Sequence, residues 1–155
     1  MTAGSVHGVA HWSRVWLNAR PICEAEQIDP RVPFLFSFLH DTCRIHDGAD
    51  FQHGPEAAAF VDQLFAERHL DISPFELLQL SKAIELHSDG FTEADPVIQV
   101  CWDADRLDLG RVGILPNPKY LCTATAKRPE VIKAALARSV ASDDYLQQLF
   151  AEELQ

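Results

Sequence analysis

The sequence predicts an all-α protein, folded as a single compact bundle of about six to seven helices. Apolar residues recur at helical spacing in one segment after another. Several of these segments open with a capping residue followed by proline, as at Asp29-Pro30, Ser73-Pro74 and Asp95-Pro96. No stretch shows the polar and apolar alternation of a half-buried strand. The 155 residues are enough for one domain with a buried core.

Three helices are expected in the N-terminal half. Pro21 should end the first of them, because proline lacks the N–H that a helix interior needs. Gly48 should end the second, and Pro55 should open the third after an irregular loop. The expected limits are residues 5 to 20, 29 to 48 and 55 to 68.

The C-terminal half should contain the remaining helices. Ser73 and Glu76 form a capping box at the start of a helix that runs toward His87. The next helix should begin at Asp95-Pro96 and continue to Asp108, and the last begins at Pro129. The segment between them, which includes residues 109–120, is expected to be a loop.

Composition and charge limit the partners. With 47% hydrophobic and 23% charged residues, the chain has the composition of a globular domain. A formal net charge of -10 argues against nucleic acid and membrane surfaces as partners, because both attract basic proteins. A small phosphorylated substrate is still compatible, since a bound metal and a few arginines can invert the local field.

The cysteines and the N-terminus bear on location. Cys23, Cys43, Cys101 and Cys122 show no Cys-x-x-Cys spacing and are expected to be free thiols in a reducing compartment. The first residues lack the pattern of a signal peptide, and no apolar run is long enough to span a membrane. We therefore expect a cytoplasmic protein.

One apolar run ends in polar residues of unusual chemistry. The segment from Phe34 to Leu39 is followed directly by His40 and Asp41. Burying an imidazole beside a carboxylate is costly unless something compensates the lost hydration, and a metal ion can do so. On a helix, Arg44 would lie on the same side. The dipeptide alone is more often an ion pair, so the metal hypothesis depends on the rest of the chain.

Further metal-capable residues recur along the chain. They stand on different predicted helices or helix entries: His11, His40 with Asp41, His53, His87, and Asp103 or Asp105. In this order the pattern resembles the HD-domain superfamily of metal-dependent phosphohydrolases. Three segments, found between Ser5 and Gly113, carry the likeness: His11-Trp12-Ser13-Arg14-Val15, Leu39-His40-Asp41 and Ala104-Asp105-Arg106-Leu107.

The resemblance implies a set of metal ligands. His11, His40, Asp41 and the last aspartate would hold one divalent metal, and His53 and His87 would hold a second in binuclear members. For the last aspartate we rank Asp105 above Asp103, because Asp105 follows a small residue and precedes an apolar one by two positions. Imidazoles and carboxylates suit iron, manganese, zinc or nickel, and iron or manganese is preferred.

Two further residues are expected to lie near these ligands. Asp108 is expected to be a partner of a ligand or a structural ion pair. His7 lies four residues before His11 on the same predicted face and could support the site from there.

A phosphohydrolase reaction is the function that the resemblance implies. A metal-activated water would attack a phosphate ester of a nucleotide or another small metabolite. Asp41 could accept the proton of that water, and Arg44 would neutralise charge on the phosphate. Arg14, Arg106 and Arg111 are candidates for substrate binding. The alternatives are an HD-type di-iron oxygenase, which uses the same ligands, and a non-catalytic domain that senses a nucleotide or a metal.

The domain is expected to cover residues 1–155. Its metal-site core should span about residues 5–113, followed by a C-terminal loop and helices over 114–155. Tyr145, Leu149 and Phe150 form an apolar stripe that could pack on the core or on a second subunit, so a homodimer is possible.

Overall fold

The structure, a computed structural model, describes residues 8–45 and 50–141. Within these ranges the chain is helical and has no strand, which confirms the all-α prediction. There are six α-helices and two short 3-10 helices: α1 (Val9–Glu26), α2 (Arg31–Leu39), α3 (His53–Ala66), α4 (Pro74–Glu85), α5 (Pro96–Arg106), η1 (Leu107–Val112), η2 (Pro118–Tyr120) and α6 (Pro129–Ser139). His7 and the stripe at Tyr145, Leu149 and Phe150 lie outside the described residues. No helix within the described ranges is long and apolar enough to cross a membrane.

The core lies between α1, α2, α4 and α5. Helix α1 packs against α2, α5 and α6, and α2 also contacts α4 and α5. Phe36 of α2 and Trp102 of α5 are among the largest fully buried side chains. Trp102 Nε1 donates to the carbonyl of Ala83 at 3.0 Å and so ties α5 to α4. Buried residues of α3 and α6, among them Val61 and Ala135, complete the core.

Helix α1 continues through Pro21, so the prediction that this proline ends it is wrong. A proline in a helix interior removes one hydrogen bond and costs about 3 kcal/mol. The cost is offset because the next two residues, Ile22 and Cys23, are buried in the core. The helix ends at Glu26, and the left-handed backbone of the capping residue Gln27 lets the next N–H, that of Ile28, also donate to the Cys23 carbonyl at 2.9 Å.

Helix α2 is shorter than predicted. It ends at Leu39, and residues 40–43 form turns in which Thr42 donates from Oγ1 to the Leu39 carbonyl at 2.8 Å and Arg44 N donates to the Asp41 carbonyl at 3.1 Å. The expected continuation of the helix toward Gly48 is therefore wrong. Because the chain turns here, His40 and Asp41 point into the bundle from the end of a helix rather than from its side.

Helices α3 and α4 approach each other closely at Gly54, the second residue of α3. A Cβ atom at this position would lie 2.7 Å from the Glu85 carbonyl oxygen, closer than side-chain carbons come to backbone. Helix α4 begins with the predicted capping box, in which Ser73 and Glu76 bond to each other's backbone. The close contact brings the start of α3 beside the end of α4.

Candidate metal centre

Six of the predicted ligands lie close together in the structure. They form two groups of three, and within each group the ligand atoms all lie within 4.8 Å of one another. We call the first group site A and the second site B. Site A contains His11, His40 and Asp105, and site B contains Asp41, His53 and His87.

Different elements supply these side chains. His11 comes from α1, His40 and Asp41 follow α2, and His53 opens α3. His87 stands two residues beyond the end of α4, and Asp105 is on α5. The Phe36 ring stacks on His40, with ring centroids 4.8 Å apart, and fixes its plane. Residues that are far apart in the sequence thus form the site.

The distances in site A fit a metal ion. His11 Nε2 lies 3.1 Å from His40 Nε2 and 3.4 Å from Asp105 Oδ1, and His40 Nε2 is 3.8 Å from the same oxygen. Ligands placed about 2.0–2.2 Å from one ion are separated from each other by about 3.0–3.5 Å. The three atoms could therefore share one ion with small adjustments.

Site B has similar spacing. The Nε2 atoms of His53 and His87 are 2.9 Å apart, and Asp41 Oδ1 lies 3.5 Å and 3.7 Å from them. The other oxygen of the same carboxylate, Oδ2, lies 3.6 Å from the Nε2 atoms of both His11 and His40 in site A. The Asp41 carboxylate therefore stands between the two sites and can serve both.

Hydrogen bonds fix which nitrogen of each ring faces the centre. The Nδ1 atoms of His40, His53 and His87 contact the backbone carbonyls of Phe36, Asp50 and Ile84, at 3.0 Å for His40 and 2.6 Å for His87. A carbonyl oxygen only accepts, so each Nδ1 carries the proton and each Nε2 presents a lone pair to the centre.

His11 follows the same rule with a carboxylate as its partner, because its Nδ1 donates to Asp108 Oδ2 at 2.7 Å. Four lone pairs thus converge in two facing pairs. Such pairs repel each other unless a cation lies between them, so the donor set fits one divalent ion in each site.

The pKa values of the two histidines in each site are shifted in opposite directions. Burial lowers the pKa of His40 to about 4 and also lowers that of His53. Burial acts in the same direction on His11 and His87. However, contacts of His11 with Asp105 and Asp108, and of His87 with Asp41, outweigh it and raise their pKa values.

Each site therefore pairs a histidine whose pKa is lowered with one whose pKa is raised. Burial would raise the pKa of Asp105, but His11 and His40 beside it lower the value overall. A divalent ion would replace a proton at each site with a larger positive charge.

Asp108 supports site A. Its buried carboxylate accepts from His11 at one oxygen and from Arg14 Nε, at 2.7 Å, at the other. Arg111 donates to the Asp108 carbonyl at 3.1 Å and lies 3.8 Å from Oδ2. Asp108 is thus placed where a supporting partner was expected. Arg14 and Arg111, the other candidates for substrate binding, both contact Asp108, and the Arg14 side chain is only 8% exposed.

Asp103, the alternative candidate for the last ligand, binds the backbone of a loop. Its carboxylate accepts from the backbone N–H groups of Cys122 and Thr123 at 2.6 Å and 2.8 Å, and from the Thr123 hydroxyl at 2.7 Å. Both oxygens are therefore engaged with the segment that follows η2. Asp103 anchors that loop, and Asp105 is the aspartate of α5 that reaches the histidines.

Arg106, another candidate for substrate binding, contacts the loop after η2. Its Nη1 donates to the Tyr120 carbonyl at 2.9 Å, and its guanidinium lies 5.6 Å from the centroid of the Trp102 ring. Arg106 and Asp103 together hold the loop after η2 against α5. Arg44 lies against a predicted ligand, with Nη1 at 3.1 Å from His53 Nε2 and 3.5 Å from His53 Nδ1.

The comparisons with known proteins agree with this geometry. No family model and no curated protein matches the chain. Among solved structures, the chain is similar to a predicted HD superfamily hydrolase from an uncultured Thermotogales bacterium. The two share 27% identity with a TM-score of 0.65, over 94% of this chain and 81% of the other. The chain has the HD-domain fold, and the predicted resemblance to the HD superfamily is confirmed.

Proposed function

We propose that the chain is a metal-dependent hydrolase of phosphate esters that acts on a nucleotide or another small phosphorylated metabolite. The observation that carries the proposal is the convergence of four histidine Nε2 lone pairs on the two oxygens of Asp41. The similarity to a predicted HD superfamily hydrolase supports the hydrolase class. The substrate class rests on the chemistry of the site and on the net charge.

His11, His40 and Asp105 would hold one divalent ion, and His53 and His87 would hold another, with Asp41 shared between them. When bound, the ions would supply Lewis acidity and a water of lowered pKa. Asp108 keeps the lone pair of His11 aimed inward, and the carbonyls bonded to the other three rings do the same for them.

Both oxygens of Asp41 face histidines of the two sites. We therefore assign Asp41 to holding the ions and not to accepting the proton of the attacking water, which revises the sequence-based expectation. Asp105 is more accessible, since its side chain is 18% exposed while those of the four histidines are at most 4% exposed. Solvent and substrate would approach the centre from this side.

Arg44 is the proposed source of charge neutralisation for the phosphate, because its guanidinium lies at the edge of site B and is 13% exposed. The formal net charge of -10 disfavours nucleic acid and other large polyanions. A small anion is repelled less by the acidic surface, and the proposed ions and Arg44 would attract it to the centre.

The proposal is tested by metal content and activity measured together. Protein purified without chelators should contain divalent metal and should hydrolyse members of a panel of phosphomonoesters and phosphodiesters. His40→Ala should lose both properties, while His69→Ala should keep them, because His69 is exposed and pairs with Glu67 at the surface. A fully active, metal-loaded His40→Ala variant would refute the proposal. Oxygen uptake by iron-loaded protein without phosphate release would favour the oxygenase alternative.

A further inference from the structure

An open apolar groove lies next to η1, and none of the six metal-centre residues lines it. Its volume is about 260 Å³, and its walls include Leu109, Ile114, Leu115 and Tyr120. Ile114, Leu115 and Tyr120 are 52%, 69% and 59% exposed. A single exposed apolar side chain is ordinary, but a cluster of them marks a contact surface.

The groove suits the side chains of a peptide segment better than a metabolite. Pockets for small molecules usually enclose about 300–1,000 Å³ and contain converging polar groups. Here the polar side chains bond to the backbone of the same segment: Asn117 Oδ1 accepts from Lys119 N at 2.9 Å, and Arg106 Nη1 donates to the Tyr120 carbonyl at 2.9 Å. The surface left for an occupant is therefore mainly apolar.

The end of α6 lies beside this groove. Helix α6 packs against η1. A Cβ atom at Gly110 would collide with the Ser139 side chain and would lie 3.0 Å from Leu136 Cδ2. Gly110 directly follows Leu109, which lines the groove, and the described residues end at Ala141. Residues 142–155 therefore continue from a point close to the groove, and a helix of that length would span about 20 Å.

We propose that residues 142–155 of the same chain bind in this groove and cover its apolar walls. Four apolar residues of the segment recur at a spacing that places them on one face of a helix: Tyr145, Leu146, Leu149 and Phe150. They match the apolar character of the groove, and a helix with such a face needs an apolar surface to cover it.

The charges of the two parts are complementary. The segment contains four acidic residues and no basic one, and the acidic residues are Asp143, Asp144, Glu152 and Glu153. The groove is lined by Arg106, and the exposed Lys119 lies next to Tyr120 with its Nζ atom 5.9 Å from the ring centroid. Because the whole chain carries a net charge of -10, this positive edge is a selective match for an acidic segment.

A segment of the same chain is also a better occupant than a second copy. Docking within one chain costs no translational freedom, so a small contact is enough. Stable complexes between two proteins usually bury about 1,200–2,000 Å². A groove of about 260 Å³ offers a contact for a few side chains only.

Hydrogen–deuterium exchange of the full-length chain tests the proposal. Phe150→Asp should uncover the groove, so that amides of residues 113–121 exchange about five-fold faster or more. Conversely, Leu115→Asp should accelerate exchange in residues 145–150, and because Leu115 is exposed the fold should persist. Lys119→Glu, which reverses a charge beside the groove, should act in the same direction on residues 113–121, whereas Lys119→Arg should match wild type.

Leu78→Asp is the matched control. Leu78 is 64% exposed, close to the value for Leu115, but it lies on α4, which does not line the groove. It should leave exchange in both segments within about two-fold of wild type. The proposal is overturned if Phe150→Asp and Lys119→Glu both leave residues 113–121 within that range, or if Leu115→Asp leaves residues 145–150 unchanged.

Sedimentation at two protein concentrations identifies the occupant. We expect a monomer whose exchange in residues 113–121 is the same at both concentrations. A dimer, with exchange in this segment that slows as concentration rises, would assign the groove to a second copy and overturn the proposal.

Discussion

His53 and His87 face each other through their Nε2 atoms at 2.9 Å, and a backbone carbonyl holds the opposite nitrogen of each ring. The two rings come from the start of α3 and from just beyond the end of α4, so their approach is a product of helix packing. Since neither Nε2 carries a proton when both rings are neutral, the contact is stabilised by a proton or a metal ion placed between the two nitrogens. Site B can therefore be tested by removing one of these two rings.

Removing His87 should cost the chain one ion and leave the other. We expect His87→Ala to bind about one divalent ion per chain where wild type binds about two, because site A keeps its own three ligands. Metal analysis after dialysis against chelated buffer measures this. Two ions in the variant would show that His87 is not a ligand.

Asp108 should control affinity without contacting the ion. In Asp108→Asn the Arg14 charge loses its partner, and His11 loses the carboxylate that fixes its ring. Loss of such a supporting partner typically weakens metal binding by about 10- to 100-fold. Competition with a chelator of known affinity should show this for site A. Unchanged affinity in a folded variant would contradict the role.

Asp103 should matter for stability and not for metal. Asp103→Ala leaves the N–H groups of Cys122 and Thr123 without their acceptor, which should lower the free energy of unfolding by about 1–3 kcal/mol. Urea denaturation measures the loss. Metal content should equal that of wild type, so a variant short of one ion would restore Asp103 as a ligand.

Metal binding should release protons and should weaken in acid. The pKa values of His11 and His87 are raised above 6.5 by the aspartates that they contact, although burial opposes this shift. Below these raised values each site holds a proton that the ion must displace, so apparent affinity rises with pH through that range. Calorimetry at pH 6.5 in two buffers of different ionisation enthalpy should give different heats of metal binding, because the released protons are taken up by the buffer. Identical heats in both buffers would exclude the release.

Pro21→Ala should stabilise the chain. The substitution restores an N–H inside α1 and removes the clash of the proline ring with the preceding turn. Pro21 is exposed, so no core contact is lost. We expect a gain of about 1–3 kcal/mol, read as a higher Tm. A lower Tm would mean that a bend at Pro21 is needed for packing.

The sequence predicts the helical class from local signals, and the order of the ligands follows from the resemblance to the HD-domain superfamily. Caps and prolines mark helix starts, and a polar pair that follows an apolar run stands out. Helix ends are harder: α1 passes Pro21 because core contacts outweigh its cost, and α2 stops before His40. These outcomes depend on packing partners that are distant in the chain.

The choice between Asp103 and Asp105 shows the same limit. Residues two apart on a helix point about 200° away from each other, so only one can face the histidines. In the structure Asp103 faces the loop at Cys122 and Thr123, and no spacing rule predicts that contact. The pairing of Arg14 with Asp108, across 94 residues, is equally invisible to a local pattern.

Substitution of Gly54 should disrupt the metal centre, although Gly54 is not one of the proposed ligands. The residue contributes no donor atom, yet a single methyl group there would collide with the Glu85 backbone and push the start of α3 away from the end of α4. His53 precedes it directly, so the same collision would widen the gap to His87. Mutational tolerance at position 54 should therefore be as low as at a ligand, and a chain that retained all six ligands but carried a larger residue here would be expected to lose its second ion.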